Sequence, residues 1–131
     1  MIRAVVDTNV LVSALLSPDG NPAKILSLVM NNQILLYFDS SIMHEYEEVL
    51  SREKFPFTSE DISTLIHTIL QLGISAISIP SKIHFNDEKD RKFFDLAKSS
   101  GAYLITGNIK HYPGKSFVVT PREFIEIIWK V

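Results

Sequence analysis

No cysteine occurs among the 131 residues. Disulfides, thiolate metal sites and thiol nucleophiles are therefore excluded. The chain also lacks an excess of either charge. Thirteen basic and fifteen acidic side chains leave a net charge of −2 with neutral histidines. No global field draws such a chain to nucleic acid, so binding of that kind needs a local basic patch or metal ions. No apolar run approaches the roughly 20 residues of a membrane-spanning helix. The opening stretch MIRAVVDTNV is too short and too soon charged for a signal peptide. A soluble, cytoplasmic protein with no membrane contact is the expectation. His44, His67, His84 and His111 show no zinc-helix spacing. No linker, repeat or low-complexity segment divides the chain, which predicts one domain over residues 1–131. A chain of that length buries about two thirds of its unfolded surface and needs no covalent staple.

What is present is a series of short apolar runs separated by amphipathic stretches. AVV (4–6) is a continuous run that ends at Asp7, as expected for a strand buried on both faces. NVLVSALL (9–16) reads as a short helix, and SPDGNP (17–22) as a loop. Asn21 is placed to cap the next helix, with Pro22 at its first position and an end near Met30. ILLYF (34–38) is the second strand, and SIMHEYEEVLS (41–51) an amphipathic helix. TSEDISTLIHTILQLG (58–73) is a further helix, with Thr58 and Asp61 as a capping pair and Gly73 as terminator. A strand lies within 74–79 and a helix over 86–101, closed by Gly101. AYLIT and SFVVT (116–120) supply two more strands. Thr120, Pro121 and Glu123 then open the last helix. Strands alternating with helices predict an α/β fold, a three-layer α/β/α sandwich on a parallel sheet of about five strands.

Ligands of open parallel sheets sit beyond the carboxyl ends of the strands, where strand order reverses. Asp7 ends the first strand and Asn108 follows the fourth, so both fall on that rim. Asp7 also suits a cap on the helix behind it. Glu45 shares a helix face with Ile42 and Val49, where a carboxylate is costly to desolvate unless paired or metal-bound. A position at the edge of that face, with the carboxylate reaching water, is the plainer alternative. Asp87 and Asp90 suit a helix N-terminus. Asp90 could instead point across the mouth toward Asp7, with Phe93, Phe94 and Ala97 anchoring the helix on the sheet. Acids gathered in one crevice repel one another and call for divalent cations. Mg²⁺ and Mn²⁺ prefer such oxygen donors and assist phosphodiester hydrolysis.

The stretches VVDTNVLVSALLSPDGNPAKIL, SSIMHEYEEVLSREKF, DEKDRKFFDLAKSSGAYLITGN and VVTPREFIEII span nearly the whole chain. In that order the sequence resembles the PIN-domain family, specifically its toxin components of toxin–antitoxin systems. The resemblance implies strand order 3-2-1-4-5 and a metal-dependent ribonuclease site of clustered acids. It implies Asp7, Glu45 and Asp90 as the first three acids, holding Mg²⁺ or Mn²⁺. Asn108 falls where a fourth Asp is common, and Asp87 matches an extra acid. Thr8 and Asn9 are implied to help position the first acid, with Thr106 supporting the same site. RNA as substrate, a cognate antitoxin and a homodimer are implied as partners.

The departure is Asn108, whose amide offers a neutral carbonyl oxygen and removes one formal charge. One metal ion, or weak activity, becomes the sharper expectation. Lys24, Arg52, Lys54, Lys110 and Lys115 are candidate phosphate contacts, each also readable as surface charge. Lys110 and His111 suit either an RNA-facing loop or a solvated one. The competing reading is a catalytically weak or inactive PIN fold that binds RNA or protein. A phosphoryl-transfer receiver or phosphatase of similar layout is disfavoured. No second acid stands two residues after Asp7, and no well-placed lysine follows the fourth strand.

Overall fold

Each short apolar run of the sequence becomes a strand, and the amphipathic stretches between them become covering helices. The computed structural model describes residues 1–129. Along the chain come β1 (Arg3–Val6), α1 (Thr8–Leu16), α2 (Asn21–Met30), β2 (Leu35–Phe38), α3 (Ser40–Leu50) and α4 (Ser59–Leu72). β3 (Ile74–Ser75), α5 (Arg91–Ser100), β4 (Tyr103–Ile105), β5 (Val118–Val119) and α6 (Pro121–Trp129) follow. Single 3₁₀ turns cover Glu88–Asp90 and Ile109–His111. Every strand pairing is parallel and the order is β3-β2-β1-β4-β5. The fold is therefore the α/β arrangement expected from the sequence, with strand order 3-2-1-4-5. The chain steps outward from β1 to β2 to β3, then crosses back to β4. That crossover makes β1 and β4 neighbours at the point where strand order reverses.

The core forms where the strands meet α1 and α5. Ala4, Val5 and Val6 of β1 and Leu104 and Ile105 of β4 are buried. Phe93, Phe94, Leu96 and Ala97 bury one flank of α5, which packs against β1, β2 and β4. Truncating one such wholly buried phenylalanine to alanine costs about 3–5 kcal/mol.

Helix ends show where local sequence decided the structure. Thr58 and Asp61 form a reciprocal capping box at the start of α4. Thr120 and Glu123 exchange the same two bonds at 2.9 and 3.1 Å. Gly101 closes α5 at φ +63°, where a Cβ is disfavoured. Gly73 ends α4 for a different reason. Its φ is an ordinary −78°, but an added Cβ would lie 2.6 Å from the Ile69 carbonyl oxygen and 2.9 Å from Phe38 Cε1.

Several boundaries depart from the sequence-based expectation, three of them informatively. Gly20, not Asn21, caps α2, with no side-chain cap bond, so Asn21 becomes the first helical residue. Residues 88–90 tighten into a 3₁₀ turn, which delays α5 to Arg91. β3 is two residues long, and the extended segment after it is held by α5 instead of by a ladder. The Ile79 N–H donates to Ser99 Oγ at 2.7 Å. Arg91 donates to the Ser81 carbonyl at 2.8 Å and the Ile83 carbonyl at 2.5 Å.

Candidate functional site

Asp7 is the first residue past β1, and the parallel register sets its neighbour. Val6 pairs with Ile105, and the Asp7 N–H continues the ladder to the Ile105 carbonyl at 2.9 Å. Thr106 therefore arrives beside Asp7. Its hydroxyl donates to Asp7 Oδ2 at 2.8 Å, and the Tyr112 hydroxyl donates to the same oxygen at 2.9 Å. Although Asp7 sits at the N-cap of α1, its side chain makes no cap bond. Only 7% of Asp7 is exposed. Two donors thus saturate Oδ2 and fix the carboxylate. Burial raises the Asp7 pKa above the ordinary aspartate range; the two hydroxyls lower it, and the charge of Glu45 raises it further.

Glu45 reaches this mouth from α3. The hydroxyl of the adjacent Tyr46 donates to the Val6 carbonyl at 2.5 Å, fastening α3 to the end of β1. Burial raises the Tyr46 pKa well above the ordinary phenol value, so its proton stays. Glu45 Oε2 accepts from the Thr8 hydroxyl. Glu45 Oε1 lies 2.7 Å from Lys92 Nζ. Thr8 thus orients Glu45 through its side chain. Asn9 Oδ1 accepts from the Gly107 N–H at 3.0 Å, pinning the loop after β4 and not the first acid. These contacts refine the roles that the family resemblance implied for Thr8 and Asn9.

Asp90 stands in the 3₁₀ turn before α5 and makes no cap bond with its side chain. Partial burial raises its pKa, and so does repulsion from Asp7, Asp87 and Glu45; His111 acts the other way. His111 Nδ1 lies 3.8 Å from Asp90 Oδ2. Asp90, Asp87, Asn86, Lys110 and His111 line a recess of about 210 Å³. Asp87 is exposed and accepts from the Lys89 N–H at 3.0 Å, as a cap does. Asn108 is exposed; its N–H donates to Thr106 Oγ1 at 3.0 Å. One threonine hydroxyl thus links Asp7 to the backbone of Asn108. Among the candidate phosphate contacts, Lys110 lies at the recess, whereas Arg52 pairs with Glu48 on α3.

The donor set is all oxygen, which suits Mg²⁺ or Mn²⁺. Mutual repulsion among Asp7, Glu45 and Asp90 is the electrostatic condition that a cation relieves. Among the described residues no three acidic or histidine side chains converge into a ready-made ion cage. Each Glu45 oxygen has one donor, Thr8 on Oε2 and Lys92 on Oε1, which leaves each a lone pair for an ion or for a water bound to one.

Three residues of this region carried no role in the sequence reading. Tyr112 lies in the KHYP stretch, where only the charged side chains drew notice. Lys92 lies two residues after Asp90. Asp95 is buried on α5 with Oδ1 unpartnered among the described residues. It falls between Arg91 and Ser99 at four-residue spacing, the two side chains that hold the segment after β3.

The fold and this site define a doubly wound α/β domain with an acid-lined switch point. Residues 3–110 match the family described as PIN domain. The chain belongs to the PIN-domain family. It is 31% identical over 140 residues to the uncharacterized protein MJ1680 of Methanocaldococcus jannaschii, covering 95% of this chain and 90% of that protein. Its fold is similar to that in the crystal structure of VapBC2 from Rickettsia felis bound to a DNA fragment from their promoter. That match has a TM-score of 0.58 at 18% identity and covers 91% of this chain and 97% of the other.

Proposed function

We propose that this chain is a metal-dependent ribonuclease of the PIN type that hydrolyses RNA phosphodiester bonds. The observation that carries the reading is the state of Asp7. It is a buried carboxylate at the β1–β4 switch point, with one oxygen held by two hydroxyls and with Glu45 and Asp90 repelling it. A structural aspartate gains nothing from that company, whereas a cation-binding one does. Asp7, Glu45 and Asp90 would hold Mg²⁺ or Mn²⁺ directly or through water, and Asn108 would offer a weak neutral oxygen. Asp87 would add charge at the rim. Such an ion, when bound, supplies water activation and neutralises charge developing on the phosphate.

The chain's own part is to hold and to orient. Thr106 and Tyr112 keep Asp7 Oδ2 engaged and so fix the direction of the carboxylate. Thr8 and Tyr46 hold Glu45 at the same mouth. Lys110, at the recess beside Asp90, is placed to meet a phosphate. In the hydrolysis a water oxygen bonds to phosphorus as the ester P–O bond breaks. The water gives up a proton, and the departing oxygen gains one. No protein nucleophile is required.

A toxin role with a cognate antitoxin, and self-association, belong to the same proposal. Its support is the family and the fold likeness to a VapBC2 complex. One observation favours the second reading, a binding module of weak or no activity. Asn108 is a neutral, exposed amide in the position that the family often fills with an acid. The test compares wild type, Asp7→Asn and Asn108→Asp for Mn²⁺ binding and cleavage of a mixed RNA pool. Metal-dependent cleavage lost in Asp7→Asn supports the nuclease. Cleavage gained only in Asn108→Asp supports the binding module.

A further inference from the structure

The ion pair between Lys92 and Glu45 differs from the other lysine and arginine pairs among the described residues. Arg52–Glu48, Arg91–Glu88 and Arg122–Glu126 join residues three or four positions apart, each with at least one side chain about half exposed or more. Lys92 and Glu45 come from α5 and α3, and their side chains are 19% and 23% exposed. The ammonium also donates to the Lys89 carbonyl at 2.5 Å and lies 5.1 Å from the centre of the Phe93 ring. It is thus held at three points. Its place in the first turn of α5 is one that a helix dipole disfavours for a cation. Helix electrostatics do not explain it, but the Glu45 carboxylate it pairs with does.

We propose that the Lys92 ammonium is a built-in second positive charge of the acid site, replacing what a second divalent ion would bring. The inference rests on the nuclease reading and narrows it to a one-ion site. Asp7, Glu45 and Asp90 bring three negative charges to the mouth, the ammonium pairs with Glu45, and Asn108 adds no charge. Two negative charges remain, which match a single divalent cation. Asp87 at the rim and Lys110 at the same recess carry opposite charges, so together they do not alter that balance. Lys92 and Asn108 act in the same direction: one adds a positive charge to the site, and the other withholds a negative one.

The experiment measures Mn²⁺ stoichiometry and affinity by calorimetry and by electron paramagnetic resonance, alongside RNA cleavage. Wild type, Lys92→Met and Lys92→Arg are compared. Wild type binds one ion per chain. Lys92→Met either takes up a second ion or binds the first about tenfold more tightly, as loss of a nearby positive charge requires. Where no second ion is taken up, its kcat at saturating Mn²⁺ falls about a hundredfold with KM little changed, as for loss of a group that stabilises developing charge. Lys92→Arg, which keeps the charge, recovers most of the rate. Lys92→Gln reads the same quantities if the methionine variant does not fold. Unchanged Mn²⁺ binding in Lys92→Met, unchanged kcat with no second ion taken up, or two ions bound to wild type would each overturn the inference. Those outcomes leave a metal-dependent wild-type enzyme standing. Absence of both Mn²⁺ binding and metal-dependent cleavage in wild type overturns the nuclease reading together with the inference.

Discussion

Replacing Asp7 with asparagine should make the metal-free protein more stable while removing its function. Asparagine is nearly isosteric, and its Oδ1 can accept the same hydroxyls from Thr106 and Tyr112 that Asp7 Oδ2 accepts at 2.8 and 2.9 Å. Turning two charge-assisted bonds into neutral ones costs about 1 kcal/mol together. Removing a buried anion that faces Glu45 returns on the order of 2 kcal/mol or more. The net expectation is about 1 kcal/mol of stabilisation at pH 7, or roughly 4 °C in the melting midpoint for a chain of this size. The pH dependence carries the sign. Burial holds the folded Asp7 pKa above its unfolded value, so the fold prefers the neutral acid. That contribution is fully present below about pH 4, the unfolded value, and is lost as pH rises through the raised folded value. The gap between Asp7→Asn and wild type should therefore be near zero in acid and open as pH rises toward 7. Thermal melts in chelator at several pH values, followed by circular dichroism, measure it. A variant that melts below wild type at pH 7, or a gap independent of pH, would refute the electrostatic account of Asp7.

Tyr112→Phe removes one of the two donors on Asp7 Oδ2. It should lose about 1 kcal/mol in chelator melts and bind Mn²⁺ several-fold more weakly by calorimetry. Asn108→Asp adds an acid to the site and should tighten Mn²⁺ about tenfold while leaving the metal-free protein no more stable than wild type. The two helix-ending glycines should separate cleanly in urea melts. Gly101→Ala places a Cβ in left-handed backbone, 3.9 Å from Arg3 Nη1 and without a clash, costing about 1 kcal/mol. Gly73→Ala drives a Cβ to 2.6 Å from the Ile69 carbonyl oxygen and should cost about 3 kcal/mol or more.

Local chemistry made most of the fold readable in advance. The capping pairs Thr58–Asp61 and Thr120–Glu123 are contained in four residues each, and both form. The short apolar runs AVV and YLI could be read as buried strands because parallel strands are covered on both faces. Asp7 and Asn108 could be placed at strand ends for the same reason. The family resemblance supplied the strand order. What stayed hidden depends on distant approach. Tyr112 reaches Asp7 across 105 positions, and no periodicity marks a hydroxyl as the one that will be buried. The pairing of Lys92 with Glu45 requires α3 and α5 to meet at one mouth. In the sequence Lys92 is one charge among several in DEKDRK. The start of α5 is not legible in the sequence because a 3₁₀ turn and a first helical turn take the same acidic residues.

The central claim is that Asp7 anchors a cation used to cut RNA. Its most direct test is the initial rate of cleavage of a mixed RNA pool as Mn²⁺ is titrated into wild type and Asp7→Asn in parallel. The account predicts a rate that rises with Mn²⁺ and saturates for wild type, and a flat trace at background for Asp7→Asn despite its higher melting midpoint. Equal cleavage by the two proteins, or a wild-type rate indifferent to Mn²⁺ and to chelator, would contradict it.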